Sequence, residues 1–308
     1  MKTRRVYETC RVMLKRTLYF SSPGFLSVKD TQLVFDPKNG GDVKKVPVED
    51  IGFMIIENQQ IAVSSPLIEE LMNHNVAVVF CDSRHHPQSM LLNMEGHHQQ
   101  TEIYRQQVTA SEPLKKNLWK QTVTAKILNQ SKLLEKIGVD PNPLPHLASQ
   151  VKSGDVDNRE GMAARVYWQR IFGQSFLRDR YGRWPNALLN YGYIVLRAAV
   201  ARALTGSGLF PSFGIFHHNR YNAFCLADDI MEPYRPFVDM AVWTVCEKYP
   251  DVSEMHKEIK AEMLQVLSVD VGMKKQTRPL MVAITHTTAS LAACFTRDKK
   301  NIEYPILI

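Results

Sequence analysis

The amino-acid sequence predicts an α+β fold, with a small β-rich domain over residues 1–98 and a larger, all-helical domain over 99–308. Three observations predict it. The chain has 308 residues, above the roughly 100–200 typical of one domain. Its first third consists of short apolar runs separated by turn residues. From about residue 99 onward, apolar residues recur at three-and-four spacing while Gly and Pro retreat to a few joints.

The β-rich part reads in order. Strands are expected over 17–20, 25–28, 32–35 and 45–48, divided by Pro23-Gly24, Asp36-Pro37 and Asn39-Gly40-Gly41, which supply turn geometry. Further strands follow at 53–56 and 76–80, with a short helix between them opened by Ser65-Pro66. Helices are then expected at 101–137, 158–180, 187–204, 223–248, 252–267 and 278–296, the Pro141-Asn-Pro-Leu-Pro145 cluster breaking the first from the second. The tail from Asn301 to Ile308 has an apolar end that either docks on a partner or frays.

Composition narrows the class. Apolar residues make up 44% and charged residues 22%, values of a folded globular chain rather than a disordered one. The longest unbroken apolar run, Val76 to Cys81, falls far short of the ~20 residues that span a bilayer, and no apolar segment follows the basic N-terminus as a signal peptide requires. The five cysteines are scattered and form no CxxC pair, so a reducing cytoplasm is the expected location. Residues 1–100 contain 11 Lys+Arg and 11 Asp+Glu, so the whole net charge of +7 lies in the remainder. Such asymmetry suits contact between the C-terminal part and a polyanion, and suits plain solubility equally well.

The type of positive charge is more telling. Between Ser153 and Glu247 there are ten arginines and no lysine. Guanidinium matches phosphate oxygens with a planar fork of donors, so Arg165, Arg178, Arg180, Arg183 and Arg220 are candidate DNA contacts. Tyr181 and Trp184 beside them can stack on unpaired bases. An arginine-rich genome with solvated helix faces would give the same count.

Three segments carry candidate chemistry. Glu160 shares a helix face with Ala164, Tyr167 and Ile171, which turns its carboxylate inward among apolar neighbours, where it needs a cation. By itself this segment reads more readily as a capping box, with Asp157 as the cap and Glu160 three residues on. A Gly-rich connection from Gly206 carries His217 and His218 between two helices, and imidazole is a ready metal ligand. Glu232 has Asp228 and Asp229 four and three residues before it, like charges that repel unless a cation lies between them. Glu160, His217 and Glu232, with Asp229 nearby and His218 as an alternative to His217, form an oxygen-and-imidazole set suited to Mg2+ or Mn2+. His85-His86 and His97-His98 lie in polar surroundings and read as surface pairs.

At these residues the chain resembles the CRISPR-associated integrase/endonuclease family, the catalytic subunit of spacer acquisition. The matching text is Glu160-Gly-Met-Ala-Ala164, Asn186-Ala-Leu-Leu-Asn-Tyr-Gly-Tyr193, Gly214-Ile-Phe-His217 and Leu226-Ala-Asp-Asp-Ile-Met-Glu-Pro-Tyr-Arg-Pro236, in the family's order and spacing. The wording around His217 and Phe224 is similar to the type II branch. The resemblance implies a fold apart from other DNA recombinases and a metal site made by Glu160, His217 and Glu232. Many relatives have Asp at the last position, so Glu232 extends that ligand by one methylene. Asp229 matches a second acidic position, whereas His218 lies outside the GxxH pattern.

The resemblance also implies partners and a reaction. Members are homodimers joined through their β domains, and two dimers flank a small ferredoxin-like subunit dimer to form a heterohexamer. Double-stranded DNA, both spacer precursor and repeat, is the substrate, and in the type II branch the RNA-guided effector nuclease is a further candidate partner. The implied reaction joins 3′-OH ends of short duplex DNA into the repeat array by transesterification, with endonuclease activity alongside. Two other readings fit the residues: a metal-dependent nuclease of branched DNA, and a DNA-binding scaffold whose acidic groups only pair with arginines.

Overall fold

A computed structural model describes residues 15–308 apart from 84 and 86; Cys10 and His86 lie outside the described residues. Strands β1 (Arg16–Phe20), β5 (Ile51–Ile56), β7 (Ala77–Cys81) and β8 (Pro87–Leu91) form one sheet in the order β1-β5-β7-β8. Strands β2 (Gly24–Lys29), β3 (Gln32–Pro37), β4 (Lys44–Pro47) and β6 (Ile61–Val63) form a second, ordered β4-β3-β2-β6. The β2–β3 hairpin turns on Asp30 and Thr31, both at positive φ, as a two-residue turn between twisted strands demands. Helix α1 (Ser65–Asn73) starts with Pro66 in its first turn and buries Leu67 and Leu71.

The first sheet is a wall shared by two cores. On β5, Ile51, Met54 and Ile56 face a core with Leu26, Leu33 and Leu67, while Phe53 and Ile55 face the helices. On β7, Val78 faces the first core and Ala77, Val79 and Cys81 the second. Both strands are therefore apolar at successive positions, and β1, β5 and β7 pair in parallel, as expected of a sheet buried on both faces. Strands β6 and β8 were not expected: β6 is only three residues long, and β8 is an edge strand carrying Gln88 and Ser89.

The helical region departs from expectation in particular places. The first expected helix is two, α2 (Gln100–Val108) and α3 (Glu112–Lys136), because Pro113 opens a new helix after Ser111. A short α4 (Leu144–Ser149) follows the proline cluster. Helix α5 (Arg159–Phe172) stops at Gly173, whose φ of 94° suits only glycine, rather than running to 180. Helix α6 (Asn186–Gly206) is the central element; by length and composition it could cross a membrane, yet 72% of its apolar window is buried inside the protein.

Beyond it, α7 (Cys225–Met231) and α8 (Arg235–Lys248) are separated by a 3-10 turn at Glu232–Tyr234, where Pro233 and Pro236 interrupt the expected continuous helix. Helix α9 (Lys257–Leu264) precedes a hairpin of β9 (Asp270–Met273) and β10 (Gln276–Pro279), and α10 (Leu280–Phe295) ends the regular structure. The hairpin corrects the all-helical expectation. It turns on Lys274 and Lys275, both at positive φ, and so lacks the Gly or Asn that would have marked it. The C-terminal tail does not fray: Ile306 bridges Gly272, Tyr304 bonds Thr122 through their hydroxyls at 2.8 Å, and Leu307 N–H donates to Asn129.

Candidate active site

One face of α3 lines the site. Trp119, Thr122, Lys126 and Asn129 recur at three-and-four spacing and therefore point the same way. Trp119 stacks on Phe216 with centroids 4.2 Å apart, and meets the His217 ring edge-on at 5.8 Å. Asn129 donates to the carbonyls of Pro233 and Pro305, tying the turn that carries Glu232 to the C-terminal tail.

Glu160 lies in the first turn of α5, and its carboxylate does not cap. Asn158 is the cap, accepting from Gly161 N–H at 3.1 Å, while Asp155 accepts from the N–H groups of Arg159 and Glu160. Asp157 instead pairs with Lys152 at 2.8 Å. The capping-box alternative therefore gives way, and the Glu160 carboxylate is left to accept a hydrogen bond from Lys126 Nζ at 2.6 Å.

Glu232, in the 3-10 turn, is 7% exposed at its side chain, too buried to remain charged without cations. Lys126 Nζ stands 2.6 Å from its Oε2 and Arg235 Nε 2.8 Å from its Oε1. Burial pushes this carboxyl up, but Arg235 and Lys126 more than offset that and hold it below the ordinary glutamate value. Neither contact is an aligned hydrogen bond: Glu232 Oε2 and Arg235 Nε remain buried without a hydrogen-bond partner.

The His217 turn is built around Asp229. This fully buried carboxylate accepts from the N–H groups of Ile215, Phe216 and His217, and from His217 Nδ1 at 2.5 Å. A Cβ on Gly214 would stand 2.4 Å from the His217 carbonyl and 2.7 Å from Asp229 Oδ2, so only glycine allows the turn to wrap the carboxylate. The Asp229 bond raises the His217 pKa against the opposing effect of burial. Burial in turn pushes Asp229 up, against the pull of the imidazole and the N–H donors. Because Nδ1 is held, Nε2 is the nitrogen left for a ligand. His217 and the neighbouring alternative His218 are both exposed, and it is His217 that the Asp229 bond fixes.

These placements divide the candidate residues. Lys126 bridges Glu160 and Glu232, and Asp229 holds His217. Asp229 is thus a positioning group with its oxygens already engaged, and Asp228 is occupied by Arg197 at 2.6 and 3.0 Å. Among the described residues, no three His, Cys, Asp or Glu side chains are gathered as a preassembled metal cluster. The residues nevertheless suit a divalent cation: two carboxylates share one bridging charge, Glu232 Oε2 lacks an aligned donor, and an imidazole is held with one nitrogen outward.

Of the candidate DNA contacts, Arg165, Arg180, Arg183 and Arg220 are exposed. Arg178 is not available in the same way, because its guanidinium donates to the Asp179 carbonyl, Asn186 and Asn190 and lies over Tyr193. Two clefts adjoin the site. One of about 350 Å3 includes His217, His218, Arg220 and Lys115; the other, about 490 Å3, includes Arg180, Tyr181, Arg197 and Arg235.

Local sequence does not single out Lys126, Trp119 or Asn129, since a lysine on a helix ordinarily means a solvated face. The available signal was the 119-122-126-129 stripe, which carries polar groups along a face whose neighbours are buried.

A family model described as CRISPR associated protein Cas1 matches residues 18–278. The CRISPR-associated endonuclease Cas1 of Neisseria meningitidis serogroup C (strain 8013) is 37% identical over 299 residues, covering 96% of this chain and 97% of that protein. Among solved structures, a casposase bound to integration product superposes with a TM-score of 0.77 at 21% identity, covering 93% of this chain and 92% of that one. A chain of a Cas6-RT-Cas1–Cas2 complex gives 0.68 at 17% identity, covering 93% and 35%.

Proposed function

The chain belongs to the Cas1 family of CRISPR-associated endonucleases and integrases, and we propose that it joins the 3′-OH ends of short duplex DNA to a repeat by metal-dependent transesterification. The observation that carries this reading is the pair of carboxylates, Glu160 and Glu232, sharing one cation beside an imidazole whose Nδ1 is fixed. Glu160, Glu232 and Nε2 of His217 would hold Mg2+ or Mn2+, which supplies Lewis-acid stabilisation of charge on a phosphodiester. Asp229 keeps the imidazole in one tautomer and orientation. Arg235 stands at Glu232 and lines the second cleft, where its positive charge favours a phosphate. The exposed Arg165, Arg180, Arg183 and Arg220 grip the backbone of the strands.

The reaction needs no nucleotide cofactor. The incoming 3′-oxygen forms a bond to the target phosphorus, the bond to the target strand's 3′-oxygen breaks, and the proton of the attacking hydroxyl ends on that leaving oxygen through solvent. The protein would work in the cytoplasm as a homodimer assembled with a small ferredoxin-like acquisition subunit. A Cas1–Cas2 complex among its structural neighbours supports the latter.

The test is a branched DNA mimicking a half-integrated spacer, incubated in Mn2+ with wild type and Glu160→Ala. Flap release with rejoined target strand is expected from wild type alone and is abolished by chelator. Cleavage without rejoining would replace this reading with a nuclease, and DNA binding with neither product would leave a scaffold.

A further inference from the structure

Lysines paired with carboxylates inside this protein come in two kinds. Lys260 and Glu57, both 9% exposed at their side chains, form a single pair at 2.5 Å between α9 and the end of β5. Lys126 differs, because its ammonium lies 2.6 Å from each of two carboxylates contributed by different elements, Glu160 of α5 and Glu232 of the 3-10 turn. Its side chain is only 12% exposed. Burial works against its charge, and the two carboxylates more than make up for that. Only the Glu160 contact is an aligned hydrogen bond; Glu232 Oε2 is left without one.

We infer that Lys126 is the internal counter-ion of the acidic site, holding Glu160 and Glu232 together in the absence of a divalent cation and leaving them when one binds. The inference rests on the metal-site reading above and adds a residue that the reading did not contain. Two carboxylates this close to one point repel unless a cation stands between them, and an ammonium on a four-carbon stem can both fill that point and swing away. The ammonium and the divalent cation then compete for the same oxygens. Lys126 lowers the site's affinity while keeping its walls in place, because each metal binding event must first break two ion pairs. Arg235 cannot take this role: it reaches Glu232 alone, and its guanidinium is committed over the Tyr193 ring at 4.4 Å.

The experiment titrates Mn2+ into the full chain, following free Mn2+ by electron paramagnetic resonance, for wild type, Lys126→Gln and Glu160→Gln. Lys126→Gln should bind Mn2+ at least about tenfold more tightly, in keeping with removal of one adjacent positive charge. Its melting temperature should fall in chelator and rise further with Mn2+ than that of wild type. Affinity equal to or weaker than wild type overturns the inference. A second measurement needs no variant: Lys126 in wild type should be protected from acetylation in chelator and become reactive at saturating Mn2+, as read by peptide mass spectrometry. Unchanged reactivity also overturns it. Glu160→Gln separates the two claims. If it binds Mn2+ as wild type does, the metal-site reading fails; if it does not, while Lys126→Gln matches wild type, only the counter-ion inference fails.

Discussion

Glu232 and Asp239 lie seven residues apart and both are buried, but their surroundings are opposite. Glu232 faces two cations, Lys126 and Arg235, and is held below the ordinary carboxylate value. Asp239 faces two hydroxyls, accepting from Tyr167 at 2.7 Å and Tyr193 at 2.5 Å, and burial pushes it up to about 6. Arg235 sits between them, paired to Glu232 through Nε while its guanidinium stacks on the Tyr193 ring. The difference teaches that burial alone does not decide which way a carboxylate shifts: the charge beside it does, two cations at Glu232 and two neutral hydroxyls at Asp239.

The comparison is sharpest if Glu232→Gln abolishes strand joining. A loss of about a thousandfold is expected in a disintegration assay, on the scale of removing a key charge-stabilising group, with DNA affinity nearly unchanged. Joining within tenfold of wild type would break it.

Asp239→Asn should act on stability instead of chemistry. Asp239 binds its proton more tightly in the folded protein, at about 6, than at the ordinary aspartate value of 3.8. Between those values the folded state therefore holds more protons than the unfolded state, and stability falls as pH rises. Relative to Asp239→Asn, wild type should lose about 2 kcal/mol between pH 4.5 and pH 7. Parallel denaturant titrations at pH 4.5 and 7 check it, and an unchanged difference would mean that the hydroxyls fully compensate the buried charge.

Asp229→Asn tests the positioning role. An amide places an N–H2 against either the Ile215 and Phe216 donors or the imidazole, so His217 loses its fixed orientation. Joining should drop by roughly 10- to 100-fold, with weaker Mn2+ affinity and retained DNA binding. The smallest effect belongs to Arg180→Ala, expected to weaken DNA binding a few-fold and to reduce the salt slope by about one. Arg178→Ala, two residues away, should lower the melting temperature instead, because that guanidinium bonds inward.

Much of this protein is legible in its sequence because the relevant signals are local. Alternating and three-and-four apolar spacing locate most strands and helices, and the text around Glu160, His217 and Glu232 identifies the family, whereas the stop of α5 at Gly173 and the turn before α8 fall inside stretches expected to be continuous helix. Where the signal weakens, so does the reading: β8 is polar at an edge, and the β9–β10 hairpin turns on two lysines that look like any surface pair.

By itself, then, the sequence determined the strand-rich start and the mainly helical remainder, the concentration of arginine in the C-terminal part and the acidic and imidazole groups of the site. Tertiary structure alone decided what each charge does. Lys126 meets Glu160 across 34 residues, Asp229 becomes the anchor of His217, and Arg178 turns inward while Arg180 stays exposed. The physical reason is range. Periodicity and capping are set by neighbours within about two helical turns, whereas the protonation and pairing of a buried charge depend on whatever groups the fold brings within a few ångströms, however distant in the chain.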